Sequence, residues 1–383
     1  MGRHIVKAGL AAGAALMLAG CGGGGDPVTG AVGGSEAGQD GNGGAPKTAS
    51  LAQPDSLTVA FCQTIEDGTG GKAYQVFLRS FAAKDGAFAG ERSAALPPNA
   101  EPGAGCDEDG PSYSADLAFN KDLTLVAGLV DGDRAAAFDM ATGREVGAPD
   151  PDSFTKRLDN GSAVFHPVTG RLWYDMGRID PDAKGDLASR DPKGGLKTEE
   201  NTLFGKIPDL LGKDGPTAET VLATDDIDAA VVPAGGVVAT SNNDYGVSLS
   251  KIGPESGGSG AGVYLHDITT TGLGDKGSEV FCEPAFWRNA TTLVCDFKQL
   301  TFSADYTKLL KTEDLIPEND RHNGLPVLAP DGKSFAFLSR GEDGRTGLFR
   351  GDFSGGEPKK ITNVDPPVPD PERELRTALI RWN

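Results

Sequence analysis

Residue types that carry catalysis are scarce in this sequence. Four histidines and five cysteines occur among 383 residues, and no Gly-x-Ser-x-Gly elbow, Walker phosphate loop or His-Glu-x-x-His helix is present. These absences remove the commonest signatures of serine hydrolases, nucleotide-binding proteins and zinc peptidases. The histidines are His4, His166, His266 and His322. They lie in the leader, before a turn proline, in a predicted strand and in a polar loop, which favours surface or capping roles over a general base. We therefore predict no catalytic residue, no metal site and no cofactor.

Basic residues are also in short supply. Lys and Arg number 36 against 55 Asp and Glu, for a net charge of −19. This balance disfavours a nucleic acid partner and opposes anionic surfaces. Acidic groups are scattered along the chain, and we interpret them as solvated turns because none has the full spacing of a calcium loop. These groups are Asp107/Asp109, Asp131/Asp133 and Asp225/Asp226/Asp228.

Glycine and proline, in contrast, are abundant. The 55 glycines and 25 prolines exceed ordinary usage. Such a composition suits short strands joined by many turns and does not suit long helices. We therefore expect a turn-rich β architecture after the leader.

Residues 1–20 are predicted to be an export signal. Arg3 and Lys7 give a positive start, and residues 8–18 form an apolar core that is too short to span a bilayer. The segment ends in Leu18, Ala19, Gly20 and Cys21. This ending resembles the signal box of bacterial lipoproteins, and the resemblance implies cleavage before Cys21 and a diacylglyceryl thioether on its sulfur. Two or more acyl chains hold a protein stably at a membrane without spanning it.

Residues 21–56 are predicted to be a flexible tether. The stretch is rich in glycine and has almost no large apolar residue, so it cannot bury a core. A chain of about 30 such residues reaches about 30 Å. Gly22 follows the cysteine, which resembles lipoproteins sent to the outer membrane of a double-membrane bacterium. In a single-membrane bacterium the protein would lie on the outer face of the plasma membrane.

Residues 57–383 are predicted to form one β domain, and residues 324–363 are its clearest part. The turn Pro330-Asp331-Gly332-Lys333 leads into an alternating strand with Phe335 and Phe337, and a Gly-Gly-Glu-Pro turn follows a third strand. In that order these features resemble one blade of the Pro-Asp-Gly-Lys propeller repeats of TolB-like bacterial proteins. The resemblance covers the repeats alone and implies an all-β fold, a β-propeller.

The repeats recur at irregular intervals along the domain. Corresponding positions are spaced by 46, 67, 54 and 42 residues, at Phe119, Phe165, Val232, Phe286 and Leu328. Periods near 40 to 50 residues are typical of propeller blades, and with a divergent unit at 57–112 they predict six blades, with seven as the alternative. We place an insertion within residues 180–201 and assign the turn at 302–307 to the outer strands of the fifth unit. Residues 379–382 are predicted to join the first blade and close the ring.

Four cysteines remain after Cys21, and an exported chain should hold them oxidised. Three pairings are possible. If Arg288 and Asn289 form a hairpin loop, Cys282 and Cys295 lie opposite each other on two strands. This geometry favours Cys282–Cys295, and Cys62–Cys106 then follows by default.

Two functions remain open at this point. The first is a lipid-anchored, non-catalytic binding or scaffold module whose propeller binds a protein or a cell-wall ligand. The alternative is a propeller enzyme of the lyase, glycosidase or quinone-dependent dehydrogenase type with a site in the central channel. His166 is the one inner residue of an obvious catalytic type, which favours the first function. The sequence does not identify the ligand-binding residues.

Overall fold

The computed structural model describes residues 50–66, 72–103, 113–132, 134–147, 163–176, 186–193, 199–201, 229–231, 237–242, 246–253, 264–269, 282–367 and 376–383. Regular structure in these residues consists of β-strands and one short 3-10 turn, Tyr113–Asp116. Among the described residues, no helix is long and apolar enough to cross a membrane. The predicted export signal, Cys21 and nearly all of the tether lie outside the described residues and stay predictions. The fold class is all-β, as the composition indicates.

The strands of the described residues form six antiparallel sheets. The first contains, in spatial order, β24 (Arg376–Trp382), β1 (Ser56–Glu66), β2 (Lys72–Ala82) and β3 (Phe88–Ala95). The second contains β4 (Ala100–Pro102), β5 (Leu125–Val130) and β6 (Arg134–Asp139). The third contains β7 (Ala163–Phe165), β8 (Leu172–Met176), β9 (Asp186–Arg190) and β10 (Glu199–Asn201).

The remaining three sheets follow the same meander. The fourth contains β11 (Ala229–Val231), β12 (Val237–Asn242), β13 (Gly246–Gly253) and β14 (Tyr264–Thr269). The fifth contains β15 (Pro284–Asn289), β16 (Thr292–Cys295), β17 (Lys298–Phe302) and β18 (Leu309–Asp314). The sixth contains β19 (His322–Asn323), β20 (Val327–Leu328), β21 (Ser334–Arg340), β22 (Thr346–Asp352) and β23 (Lys359–Asn363). Both β19 and β20 pair with β21.

Strand β21 is buried on both faces, which explains its nearly continuous apolar sequence. Phe335 and Phe337 pack into a cluster with Val294 of the fifth sheet. Ala336 and Leu338, on the opposite face, pack into a cluster with Leu57 and Val59 of the first sheet. Successive side chains of a strand point to opposite faces, so the sixth sheet is held between the fifth and the first.

The same two-sided packing links the other sheets. Leu78 of the first sheet and Val126 of the second share one cluster, and Ala137 of the second and Tyr174 of the third share another. The fourth and fifth sheets meet in a cluster that contains Leu249 and Leu293. In every interface that the described residues show, a sheet faces the next one along the chain, and the last sheet faces the first.

The C-terminal strand joins the first sheet, as predicted. Strand β24 pairs with β1 from Leu57↔Trp382 to Cys62↔Arg376. Ile380 and Trp382 are buried in two different clusters. Arg381 adds a second attachment, because its guanidinium donates to the carbonyl oxygens of Asp116 and Lys121 at 3.0 and 3.1 Å.

The predicted repeat positions fall where the spacing indicates. Phe165, Phe286 and Leu328 lie in β7, β15 and β20, and Phe119 forms a bridge to Val126 of β5. Val232 lies outside the described residues. The turn at residues 303–308 joins β17 to β18, which confirms its assignment to the outer strands of the fifth sheet.

Two sequence predictions need correction here. The run at residues 180–201 is not an insertion throughout, because residues 186–190 and 199–201 form β9 and β10, the outer strands of the third sheet. Their sequences, DLASR and EEN, are polar and resemble loop sequences, so the sequence does not indicate strands there. The packed residues also begin before position 57: Leu51 is buried in a cluster with Leu78, and its carbonyl accepts from the Ser80 hydroxyl at 2.8 Å.

Candidate functional site

The first strands of the sheets lie next to one another. Their contacts run in series, since β11 contacts β15, β15 contacts β20, β20 contacts β24, and β24 contacts the Tyr113–Asp116 turn. Two cavities lie along this series, the Glu283 cavity of about 800 Å³ and the Trp382 cavity of about 870 Å³, each named for one of its wall residues.

The two cavities lie in succession along the same chain segments. Along β24, residues 377–380 line the Glu283 cavity and residues 381–383 line the Trp382 cavity. Along the first strand of the sixth sheet, residues 321–328 line the former and residues 329–331 line the latter. Asp116 lines both.

A pair of carboxyl groups gives the Glu283 cavity its electrostatic character. Glu283 is partly exposed at the wall and Asp296 is half-buried, and the Asp296 amide donates to the Glu283 carbonyl at 2.7 Å. Loss of hydration raises the pKa of Glu283, and the negative charge of Asp296 raises it further. Loss of hydration also raises the pKa of Asp296, against the opposing effects of a backbone hydrogen bond and Lys298.

The disulfide Cys282–Cys295 fixes this carboxyl pair. Its Cα atoms are 5.5 Å apart, and Glu283 and Asp296 each directly follow one of the two cysteines. The predicted pairing is therefore present, but the predicted hairpin register is wrong. Two irregularities in β15 shift the register, so that Pro284 rather than Cys282 lies opposite Cys295. The turn begins at Asn289, whose side chain accepts from the Thr291 amide at 2.9 Å.

Cys62 is also disulfide-bonded. Its predicted partner, Cys106, lies outside the described residues, so the Cys62–Cys106 pairing stays a prediction.

Arg321 and His322 complete the wall of the Glu283 cavity. The Arg321 guanidinium donates to the hydroxyl and the carbonyl of Ser339 at 2.7 and 2.8 Å and lies 5.2 Å from the Phe349 ring centroid. It is therefore held by its own sheet. His322 is exposed and lies in β19, whereas the sequence analysis placed it in a loop.

The Trp382 cavity is formed by the ends of the first strands and the turns beside them. Trp382 is 7% exposed, and its indole nitrogen donates to the Asp55 carboxylate at 3.2 Å. Arg350 of β22 lies over the indole, 5.4 Å from its centroid. Ser334, at the start of β21, lines the same cavity. None of these residues was singled out for binding from the sequence, because they come from distant parts of the chain.

His166 is a turn cap. It is 4% exposed, and its Nδ1 accepts from the backbone amides of Val168 and Thr169 at 3.1 and 3.0 Å. Asp331 has a similar role, because its carboxylate accepts from the Lys333 amide at 2.9 Å. Both positions thus serve turns, as predicted.

His266 lies in β14. Within the described residues, no cluster of three or more potential metal ligands occurs. Asp107, Asp109, Asp133, Asp225, Asp226 and Asp228 lie outside the described residues.

Comparison with known proteins gives distant likenesses. No family model matches the sequence, and none of the curated protein sequences matches it. A provisionally assigned TolB from Agrobacterium tumefaciens is 10% identical, with 84% of this chain and 98% of that chain covered and a TM-score of 0.34. A provisionally assigned 6-phosphogluconolactonase from Bacteroides uniformis is 14% identical, with 81% and 82% covered and a TM-score of 0.33. TolB from Acinetobacter baumannii is 12% identical, with 81% and 54% covered and a TM-score of 0.26. At these TM-scores the likenesses carry no argument, so the function of the chain has to be argued from its own residues.

Proposed function

We propose that this chain is a six-bladed β-propeller that binds a ligand in its axial channel without catalysing a reaction. The observation that carries the proposal is the succession of two large cavities along the first strands of the sheets. The described residues form six sheets, and the last sheet packs against the first, which supports six blades rather than seven. Concave sites of this volume, at the meeting point of several elements, are typical of ligand binding.

The hydrogen bonds of the basic side chains favour binding over catalysis. Arg321 is held by Ser339, and Arg381 is held by the backbone carbonyls of Asp116 and Lys121, which precede β5. The Nδ1 atom of His166 accepts from two amides of its own turn. Groups held in this way shape a channel, whereas a general acid or base needs a position free to exchange protons with a substrate.

A photo-crosslinking amino acid at Leu325 tests this proposal. Leu325 lies in the wall of the Glu283 cavity, and Leu310, 63% exposed on the outer strand β18, gives the control position. The proposal predicts a crosslinked adduct in intact cells from position 325 and not from position 310. Identical adducts from both positions, or adducts from position 310 alone, would contradict it.

We further propose that the protein is anchored by lipid on Cys21 in the bacterial cell envelope, outside the cytoplasm. The signal box Leu18-Ala19-Gly20-Cys21 and the Gly-rich tether support this location. The partner would be a protein or a cell-wall ligand, since a net charge of −19 disfavours nucleic acid. The Cys21→Ser variant should leave the membrane fraction, with Ser35→Ala in the tether as a matched control. Continued membrane association of Cys21→Ser would refute lipid anchoring.

One observation favours the enzyme alternative. Glu283 and Asp296 both have raised pKa values in the channel wall, and a carboxyl group with a raised pKa is suited to general acid catalysis. If the protein is a glycosidase or lyase, turnover in a polysaccharide screen should be lost in Glu283→Gln and kept in Glu357→Gln, a change in an exposed outer turn. Equal turnover in the two variants would exclude Glu283 as the acid.

A further inference from the structure

We propose that the Trp382 cavity binds the carboxylate of an organic ligand through Arg350 and Ser334, with the apolar body of the ligand packed against Trp382 and Leu117. This inference rests on the proposed function of the channel as a binding site. It deepens that function by naming the chemical class of the ligand and the residues that recognise it.

Arg350 is a partly buried cation without an anionic partner among the described residues. Its guanidinium stacks over the Trp382 indole at 5.4 Å, and among the described residues it forms no ion pair and no side-chain hydrogen bond. A partly desolvated guanidinium that is stacked on an aromatic ring keeps its edge donors free. Such a group is suited to a planar carboxylate, which it can bind with two parallel hydrogen bonds.

Ser334 supplies an unpartnered hydroxyl in the same cavity. Its residue surface is 0% exposed, and its Oγ has no hydrogen-bond partner among the described residues. A buried hydroxyl without a partner costs free energy unless a bound group satisfies it. An anionic oxygen would accept its proton and remove that cost.

The aspartates of the cavity wall do not neutralise Arg350. Asp55 accepts from the Trp382 indole, and Asp331 caps its own turn. Asp122 is exposed and follows Lys121 in the sequence, and Asp116, which also lines the cavity, is half-buried. No aspartate of the wall forms an ion pair with Arg350 in the described part of the chain. Arg381, another cation of this wall, donates to backbone carbonyls. Within the described wall, Arg350 is thus the partly buried cation available to an incoming anion, and the exposed Lys121 is a second.

The remaining walls favour an apolar body on that anion. Leu117, Pro167, Pro330 and Trp382 line the cavity, and its volume of about 870 Å³ exceeds what a bare inorganic anion fills. An aromatic or aliphatic acid would place its body on these walls and its carboxylate at Arg350. Inorganic phosphate shares the charge but not the apolar body.

Isothermal titration of the full-length protein with phenylacetate tests the inference, with phenylacetamide as the uncharged analogue and inorganic phosphate as the anion without an apolar body. We expect saturable binding of phenylacetate, at least tenfold weaker binding of phenylacetamide, and weaker binding of phosphate than of phenylacetate. Arg350→Gln should weaken phenylacetate binding roughly ten- to hundredfold, because a charge-assisted hydrogen bond is lost. The matched control is Arg345→Gln, since Arg345 is 82% exposed on the same strand hairpin.

Two further variants keep the test decisive if Arg350→Gln folds poorly. Arg350→Lys keeps the positive charge but loses the planar guanidinium that can form two parallel hydrogen bonds with a carboxylate. This variant should bind phenylacetate more weakly than wild type does. Ser334→Ala should weaken binding severalfold while leaving the thermal midpoint of the unliganded protein equal or higher, because it removes an unpartnered hydroxyl.

The inference is overturned if phenylacetate does not bind saturably, if phenylacetamide binds equally well, or if Arg345→Gln weakens binding as much as Arg350→Gln. Loss of phenylacetate binding with position-specific crosslinking at Leu325 intact would overturn the carboxylate site and leave channel binding standing. Failure of both experiments would overturn both proposals.

Discussion

Truncation of Trp382 should destabilise the whole β domain. Trp382 is 7% exposed and belongs to the cluster that joins the first and sixth sheets. Its truncation to alanine removes nearly all of a buried aromatic side chain, which costs about 3 to 5 kcal/mol. That range includes loss of the indole hydrogen bond to Asp55 and of the stacked Arg350.

Urea unfolding followed by far-ultraviolet circular dichroism measures this effect. Trp382→Ala should lower the midpoint of a single transition without changing its slope, because β24 unfolds together with the sheets that it joins. Trp382→Phe should cost less, about 1 to 2 kcal/mol, because it keeps most of the buried surface and loses the hydrogen bond.

Leu310→Ala provides the matched surface control. Leu310 is 63% exposed on β18, so its truncation should change stability by about 0.5 kcal/mol or less. If Trp382→Ala has an effect no larger than Leu310→Ala, the C-terminal strand does not hold the first and sixth sheets together, and the reasoning fails.

Two further predictions concern titration. Glu283 and Asp296 have raised pKa values in the folded protein, so the folded state binds their protons more tightly than the unfolded state and their destabilising effect is full above the raised pKa values. Glu283→Gln should therefore raise the thermal midpoint at pH 7, and this increase should shrink as the pH falls through the raised pKa values. An increase of the same size above and below those pKa values would contradict a raised pKa of Glu283. Hydrogen bonds from Ser303 and Thr307 lower the pKa of Asp305 to about 2. A carboxyl-detected NMR titration should find this pKa in wild type and a higher pKa of Asp305 in Ser303→Ala. An ordinary pKa of Asp305 in wild type would show that the turn is not formed in solution.

Turn chemistry made much of the fold predictable. Around Asp331 and Gly332 the residue types alone predict the turn, and the positive φ of 67° at Gly332 is the conformation that glycine favours. The strands that flank such turns agree with the sequence expectation, as β21 does at Ser334–Arg340. Outer strands such as β9 and β10 were missed because their polar sequences resemble loop sequences.

The residues that line the two cavities could not be predicted from the sequence. Among them are Asp116, Glu283, Arg321, Arg350 and Trp382, which are separated by up to 266 residues from first to last. Long-range packing of the sheets brings them together, and no local spacing encodes that packing. The predicted hairpin register at Cys282 and Cys295 failed because two irregularities within β15 shift it, and the alternation of residue types does not reveal such irregularities.

The pairing of β24 with β1 is the feature on which the proposed closed ring and its axial channel depend. Hydrogen exchange measured by mass spectrometry tests it directly in the unmodified protein, through the protection of Arg376–Trp382 relative to Ser56–Glu66. If the ring is closed by this strand, both segments should exchange through the same global unfolding and show equal opening free energies. Rapid exchange of Arg376–Trp382, as in a frayed terminus, while Ser56–Glu66 stays protected would contradict the closed ring.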